Sequence, residues 1–398
     1  MTEKYDKDEA RGFGISNAAQ RLRNYGWIAR RSIKTLSGWF LRIGDFEHKY
    51  ALSYHLYDNS EHVTWIRNRL GEMRGGNPNA NIQPRLRELC DIVMLAPADT
   101  DFFAGYYGVL QAEVIKSIKA DLKEFDRSAN ANEIRLLRRV LKDLEDQQAW
   151  FLSLGLDVEN NEWAKEIKAL IESMGGLHGE LPHGEPYTIT NYQPFVRPER
   201  IHFDSRITVG PLCSYEEREK MDAGQATIEQ FKVFFNEFYA AALLASILYD
   251  AADSDYPWEM SADFSRHFWD EARHSEFGCI RLRELGCEPD RVNPVLFDES
   301  QGLPLLHRIA YLTRGLEAYF MPRKGKRVKD YEKVGDIRSQ LFADQDWSDE
   351  INHVRYGSRW TDFLLDDDHR DLDDIVEEVK AHLSTVRGKP VSTIDAPF

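Results

Sequence analysis

DEARH at residues 270–274 and DEINH at residues 349–353 are two copies of one pattern, Asp-Glu-x-x-His. On an α-helix, residues three apart lie on one face, so the glutamate and the histidine of each copy can point towards a common centre. A single Glu-x-x-His is a weak signal, because chance produces it often and a surface ion pair explains most cases. The residues that precede each copy strengthen it.

Each copy follows another glutamate at nearly the same distance. Glu237 lies 34 residues before Glu271, and Glu317 lies 33 residues before Glu350. The helical neighbours of Glu237 are apolar, and a buried carboxylate without a partner is costly. On antiparallel helices, the order Glu, Glu-x-x-His, Glu, Glu-x-x-His brings four carboxylates and two imidazoles together, a donor set that suits two divalent cations. The alternative interpretation is a polar seam of buried ion pairs.

The loop lengths agree with one fold of this kind. Residues 287–303, rich in Pro and Asp, are long enough to cross a bundle, as the single long connection of the ferritin-like topology does. The second helical hairpin fits less well, because Met321-Pro322 follows Glu317 so closely that the helix is predicted to end or kink there.

These motifs, with VRYGSRW at residues 354–360, resemble a family of largely uncharacterised bacterial ferritin-like proteins and, more distantly, di-iron carboxylate oxidases. The resemblance covers about the C-terminal third of the chain. DEARH has the form seen in ribonucleotide reductase small subunits and bacterial multicomponent monooxygenases, whereas the second copy has Asn352 in place of the arginine. The resemblance implies that Asp270 and Asp349 accept hydrogen bonds from the ligand histidines. It implies the following metal ligands: Glu237, Glu271, His274, Glu317, Glu350 and His353.

The chain is predicted to be all-α, with four parts. They are a helical N-terminal domain at 1–174, a Gly/Pro-rich linker or wrapping arm at 175–222, a ferritin-like di-metal bundle at 223–366, and an acidic C-terminal helix and tail at 367–398.

The N-terminal domain offers weaker candidate sites. FFAGYY at 102–107 is similar to FFNEFY at 234–239, which suggests a degenerate second bundle with Glu113 and Glu145 as faint ligand candidates. Three histidines at seven-residue spacing, residues 48, 55 and 62, would share one helix face, and hydrogen bonding between helices is the simpler explanation.

Composition limits the partners and the compartment. Lys and Arg number 51 against 67 Asp and Glu, a net charge of -16, which argues against nucleic acid as a partner. The four cysteines form no CxxC pair and the first residues lack an apolar stretch, so a reduced, cytoplasmic protein is predicted. The most apolar run, Val233–Tyr249, is interrupted by Asn236 and Glu237 and is shorter than the ~20 residues of a membrane span, so a buried helix is predicted instead.

The predicted function is a di-iron carboxylate oxidase or oxygenase that activates O2 to oxidise a small organic substrate. Its cofactor would be two Fe ions, with Mn or a mixed Mn/Fe pair as alternatives, and its electrons would come from the substrate or from an electron-donor protein. A homodimer is compatible with this function. The alternatives are a storage-type or non-catalytic metal-binding protein and a rubrerythrin- or Mn-catalase-like protein that removes peroxide or superoxide. Chain length argues against a storage cage, and the lack of a CxxC pair argues against an attached rubredoxin.

Overall fold

The computed structural model describes residues 12–189, 192–366 and 370–394. Within them the protein is all-α, as predicted, and its strands are two-residue segments. The predicted lack of a signal peptide and the end of the predicted C-terminal tail concern residues 1–11 and 395–398, which lie outside the described residues.

The chain divides into two compact units. Unit 1 contains Met1–Thr35 and Asp58–Val196, and unit 2 contains Leu36–Tyr57 and Arg197–Phe398. The four-part division drawn from the sequence stays a prediction. It differs from these units in that the segment Leu36–Tyr57 groups with the C-terminal half of the chain.

Helices α1 (Ile15–Arg42) and α2 (Phe46–Glu72) contribute residues to both units. The remaining helical segments of unit 1 are α3 (Pro84–Val93), α4 (Asp99–Phe103), the π-helical segment π1 (Ala104–Gln111), α5 (Ala112–Glu124), α6 (Ala131–Ser153) and α7 (Glu162–Ser173). Apolar residues at three- and four-residue spacing predict helices at 46–73, 100–126 and 131–156, and α2, the run from α4 to α5, and α6 confirm them. In α6 the apolar residues Ile134, Leu137, Val140, Leu144 and Phe151 recur at helical spacing and are buried.

Unit 2 holds the sequence motifs. Its strands β1 (Thr208–Val209) and β2 (Arg291–Val292) pair in parallel. Its helical segments are α8 (Tyr215–Arg218), α9 (Ala223–Phe235), α10 (Phe238–Ala251), α11 (Trp258–Glu284), α12 (Val295–Ser300), α13 (Leu305–Ala310), the π-helical segment π2 (Tyr311–Glu317), α14 (Ala318–Val334), α15 (Ile337–Leu365) and α16 (Leu372–Arg387).

Four runs of these segments pack against one another. The run α9–α10 packs on α11, α11 packs on α15, and α15 packs on the run π2–α14. Glycines allow two of the close approaches. A Cβ at Gly278 of α11 would lie 2.6 Å from Phe235 Cα and 2.8 Å from Phe231 O, and one at Gly357 of α15 would overlap Thr313 of π2. Because helix backbones approach so closely here, the side chains beside them are held in fixed positions.

The first run is interrupted in the middle. The sequence predicts a continuous helix through Glu237, but α9 ends at Phe235 and α10 begins at Phe238. The Asn236 side chain explains the break, because it accepts a hydrogen bond from the Asn293 backbone N–H at 2.6 Å and donates one to the Asn293 carbonyl at 3.2 Å. The turn therefore ties the run to the connection that follows α11.

The sequence predicts that the helix ends or kinks at Met321-Pro322, and an end there is wrong, because α14 continues through Pro322 to Val334. Pro322 is exposed, so water can satisfy the Ala318 carbonyl that loses its amide partner. Gly335, at a φ of 70°, ends the helix instead.

One helical stretch, Ala223–Ala251, is long and apolar enough to cross a membrane, but 83% of its most apolar window is buried inside the protein. Every residue from Phe238 to Leu248 is buried. The stretch is therefore accounted for as a core helix of unit 2.

Candidate metal centre

Helices α11 and α15 carry the two repeated motifs into the core of unit 2. Glu271 and His274 of α11 are at most 1% exposed, and Glu350 and His353 of α15 are at most 2% exposed. The i, i+3 spacing puts each glutamate beside its histidine, and the packing of α11 on α15 brings the two pairs together.

A first cluster combines His267, Glu271, Glu317 and His353. One possible ligand atom from each lies within 4.8 Å of the others, and all four residues are buried. His267 Nε2 is 2.7 Å from Glu317 Oε1, and His353 Nδ1 is 3.0 Å from Glu271 Oε1. Two carboxylates and two imidazoles form a donor set that suits a divalent transition metal.

A second cluster combines Glu271, His274 and Glu350 within the same distance limit, so Glu271 belongs to both clusters. Glu237 lies outside this limit. It is partly buried and lines a cavity that also reaches Glu271 and Glu350. Burial, together with the nearby Glu271 carboxylate, raises the pKa of Glu237 well above its ordinary value. Five of the six predicted ligands thus lie in the clusters, and the sixth adjoins them.

Many buried atoms of these side chains have no hydrogen-bond partner among the described residues. They are Nδ1 of His267, His274 and His353, both carboxylate oxygens of Glu271, and Oε2 of Glu317 and of Glu350. The approach of His353 Nδ1 to Glu271 Oε1 is short but not aligned as a hydrogen bond. Buried polar atoms are almost always paired, so atoms left over in one place indicate a ligand that they would hold together. The residues fit metal ions.

The aspartates of the two motifs lie outside the clusters, and each contacts the histidine of the other motif. His274 Nε2 is 3.3 Å from Asp349 Oδ2, and His353 Nε2 is 3.4 Å from Asp270 Oδ2. The resemblance implied that these aspartates accept bonds from the histidines, and each one lies beside the histidine of the other copy. A histidine that donates from Nε2 keeps the lone pair of Nδ1 for a metal.

Two arginines of α11 bind both aspartates. Arg273 donates to Asp270 at 2.7 Å and also to Asp349, and Arg266 donates to Asp270 at 2.8 Å. Burial would raise the pKa of Asp270, but His353 and Arg266 outweigh it and lower that pKa to about 2. The second motif has Asn352 where the first has Arg273. Both aspartates nevertheless bind an arginine, because Arg273 donates to each of them.

The buried carboxylates favour the protonated form of the histidines. Burial alone would lower the pKa of His274, but Asp349 and Glu271 outweigh it and raise the pKa to about 10. The pKa of His353 is likewise raised, by Asp270 and Glu271 against its burial. The centre thus favours cations.

Sequence reasoning missed Lys324 and Asp346. Lys324 Nζ is 2.6 Å from Asp346 Oδ1 and 2.5 Å from Glu350 Oε1, and the lysine and the aspartate are both buried. Burial lowers the pKa of Lys324, but these two carboxylates outweigh it and raise that pKa. No sequence pattern shows that a lysine of α14 points inward.

Sequence reasoning also missed His267, although a signal was present. His267 lies four residues before Glu271, and Asp346 lies four residues before Glu350. Both motifs therefore extend by one helical turn on the same face, and both added residues are buried.

The candidates from the N-terminal part of the sequence do not join these clusters. His62 is 3.0 Å from an aspartate of α6, and burial lowers the pKa of His55 to about 3. Glu113 and Glu145 form ion pairs with exposed lysines at 2.9 and 2.7 Å. Neither glutamate, and none of the three histidines of α2, belongs to a cluster of possible ligands within the described part of the chain.

A cavity of about 290 Å³ adjoins the clusters. Its lining includes Glu237, Glu271, Glu317 and Glu350, together with aromatic, aliphatic and basic side chains. A more open cavity of about 520 Å³, near the loop Gly302–His307, is lined by none of the predicted ligands. The smaller cavity therefore gives access to the centre.

The fold and the clusters define an all-α protein with a buried centre of carboxylates and imidazoles. Comparison with known protein families matches residues 194–395 to the family described as "Protein of unknown function (DUF455)". The chain belongs to this family, and the matched residues include both clusters. Searches of curated proteins and of solved structures found no match.

Proposed function

We propose that unit 2 is a ferritin-like four-helix bundle that binds two iron ions, and that the protein is an O2-dependent oxidase or oxygenase of a small organic substrate. The observation that carries the proposal is the set of buried, unpartnered ligand atoms on three histidines and three glutamates. Four mutually packed helical runs and the paired Glu-x-x-His motifs support the bundle assignment.

The charges support two divalent ions. Arg266 and Arg273 offset Asp270 and Asp349, and Lys324 offsets Asp346. Four carboxylates then remain, namely those of Glu237, Glu271, Glu317 and Glu350. Among the described residues, the one lysine or arginine that pairs with any of them is Lys324, beside Glu350, and its single charge is already used by Asp346. Four negative charges balance two divalent cations.

His267, Glu271, Glu317 and His353 would hold one ion, and Glu271, His274 and Glu350, with Glu237 beside them, would hold the other. A bound di-iron centre supplies electrons and open coordination positions for dioxygen. The protein's own part is to fix the donors. Asp349 and Asp270 orient the histidines, and Glu271, which belongs to both clusters, would contribute ligand oxygens to both sites.

The cavity favours substrate oxidation over ion storage or peroxide removal. Its walls include Tyr239, Leu312, Leu316 and Phe320. A protein that admits only ions or peroxide needs no space of about 290 Å³ whose lining combines apolar with charged side chains. The apolar part of the lining would contact the body of an organic substrate.

Anaerobic loading tests the proposal. The full-length protein is incubated with Fe²⁺ or Mn²⁺, desalted and analysed for metal, and O2 consumption is then followed after air is admitted. We expect two ions per chain, with O2 consumed only by the iron form. Fewer than one tightly bound ion per chain would refute the metal centre. Bound manganese with catalase activity would replace the oxidase function with peroxide removal.

A further inference from the structure

The cavity beside the metal centre is lined by side chains of three kinds. One part of its lining is acidic, with Glu237, Glu271, Glu317 and Glu350 of the centre. A second part of the lining is basic, with Arg218, Arg323 and Arg327. Aromatic and aliphatic side chains complete the lining, so a ligand in this space would meet all three kinds of surface.

Arg218 forms no ion pair with any carboxylate in the described part of the chain. It is 9% exposed, it donates to the Cys213 carbonyl, and within the described residues no carboxylate lies within 4.0 Å of its guanidinium. Burial and the neighbouring Arg327 lower the pKa of Arg218. A buried guanidinium that faces another cation is costly unless an anion joins it.

Arg323 lies in the same wall and is positioned by rings. Its guanidinium is 4.5 Å from the ring centroid of Tyr215, 5.6 Å from that of Tyr319 and 5.3 Å from that of Phe320. No ion pair holds it among the described residues. Stacked arginines with free donors are typical of sites that recognise carboxylate or phosphate groups.

Arg327 already interacts with other side chains of the protein. It is 3.6 Å from Asp346 and 5.2 Å from the ring of Phe234. The acidic residue in this part of the lining is Glu216, which is exposed and forms no ion pair with these arginines. The basic wall therefore keeps an excess of positive charge.

We propose that the substrate is a small organic anion, a carboxylate or a phosphate ester with an aromatic or aliphatic body. Its acidic group binds Arg218 and Arg323, its body lies along Tyr239, Leu316 and Phe320, and its other end faces Glu237 and Glu271. Its role as a substrate rests on the proposed function, whereas its binding does not.

Matched probes test the charge preference. Phenylpropionate, phenethyl phosphate, phenylpropanol and phenylpropylamine have similar bodies and differ in charge, and their dissociation constants are measured by calorimetry on the full-length protein with and without bound metal. We expect one or both anions to bind at least about tenfold more tightly than the alcohol, since a hydrogen bond to a charged group commonly contributes that much. The amine should bind most weakly. The tighter of the two anions identifies the acidic group.

Arginine variants separate this wall from the metal. R218Q and R323Q should each weaken anion binding by about tenfold or more and leave binding of the alcohol unchanged. R291Q, at an exposed position of β2 outside the cavity, should change neither. Circular dichroism checks that each variant is folded. If R218Q does not fold, R323Q alone tests whether the arginines bind the anion.

The outcomes distinguish the two proposals. Arginine-dependent anion binding by a protein that takes up no metal would support this inference and refute the proposed function. Normal metal uptake with equal affinity for all four probes, or with no binding of either anion, would overturn the inference alone. Anion binding that requires metal and is unchanged in R323Q would also overturn it, because the metal would then be the binding group.

Discussion

Replacement of Glu271 by glutamine should remove both metal ions at once. Glu271 is the one residue that the two clusters share, and both its oxygens are buried without a hydrogen-bond partner among the described residues. Glutamine keeps the shape of the side chain but loses the charge and one acceptor oxygen. Glu237→Gln should cost one ion at most, because Glu237 lies outside the clusters.

The size of the effect follows from linkage between binding and folding. At a free metal concentration about 100 times the dissociation constant, each ion adds about 2.7 kcal/mol to the free energy of unfolding, so two ions add roughly 5 kcal/mol. For a cooperative unit of roughly 150–250 residues, 1 kcal/mol corresponds to about 2–4 °C, so the melting midpoint should rise on the order of 10 °C or more.

The assay is a thermal melt under anaerobic conditions with and without Fe²⁺, together with metal analysis of the same samples. The wild-type protein should show the rise, and Glu271→Gln should not. Glu259→Gln is the matched control, since it makes the same change on an exposed turn of the same helix. If Glu271→Gln retained two ions, or kept the metal-induced rise, the shared position of Glu271 would be refuted.

Three further changes test the packing and the charges. Gly278→Ala should lower the free energy of unfolding by about 1–3 kcal/mol, because the added methyl group would overlap the backbone of α9. The control Gly224→Ala, whose methyl group would make only an ordinary contact, should raise the free energy of unfolding by up to about 1 kcal/mol. Equal effects of the two changes in urea denaturation would contradict the close approach. Lys324→Met should destabilise the metal-free protein by about 3–5 kcal/mol, because two buried carboxylates lose their cation, while exposed Lys333→Met should change stability by less than about 0.5 kcal/mol in the same denaturation assay. His267→Ala should weaken one ion by about tenfold or more in chelator competition and spare the other, and two ions of unchanged affinity would exclude His267 as a ligand.

Local sequence rules were sufficient for much of the fold. The Ser-Tyr-Glu-Glu segment at 214–217 has the pattern of a capping box, which predicts a helix start. In the structure Ser214 Oγ accepts from Glu217 N at 3.2 Å, and Glu217 Oε2 accepts from Ser214 N at 2.8 Å. Such caps involve residues a single turn apart, so the sequence contains all the information. The break at Asn236 did not follow from the sequence, because the partner of that side chain is the distant Asn293.

The difference between contacts within one helix and contacts between distant residues also explains which residues of the site the sequence predicts. Glu271 with His274, and Glu350 with His353, are neighbours on one helix and were found from their spacing. The pairing of Lys324 with Asp346 joins two helices, and only the tertiary structure brings them together. Spacing rules apply within one helix, so a counter-ion supplied by another helix is not visible to them.

The extended motifs show why the two halves of the centre differ. The position four residues before each motif glutamate is His267 in one copy and Asp346 in the other. His267 adds an imidazole next to Glu317, at 2.7 Å, so that half gains another possible ligand. Asp346 adds a negative charge that Lys324 cancels, so the other half gains an ion pair instead. Lys324 also contacts Glu350, and a protonated lysine has no lone pair for a metal, so this ion pair competes with a metal for one of its ligands. His267 also contacts a ligand, Glu317, but its imidazole is itself a possible ligand.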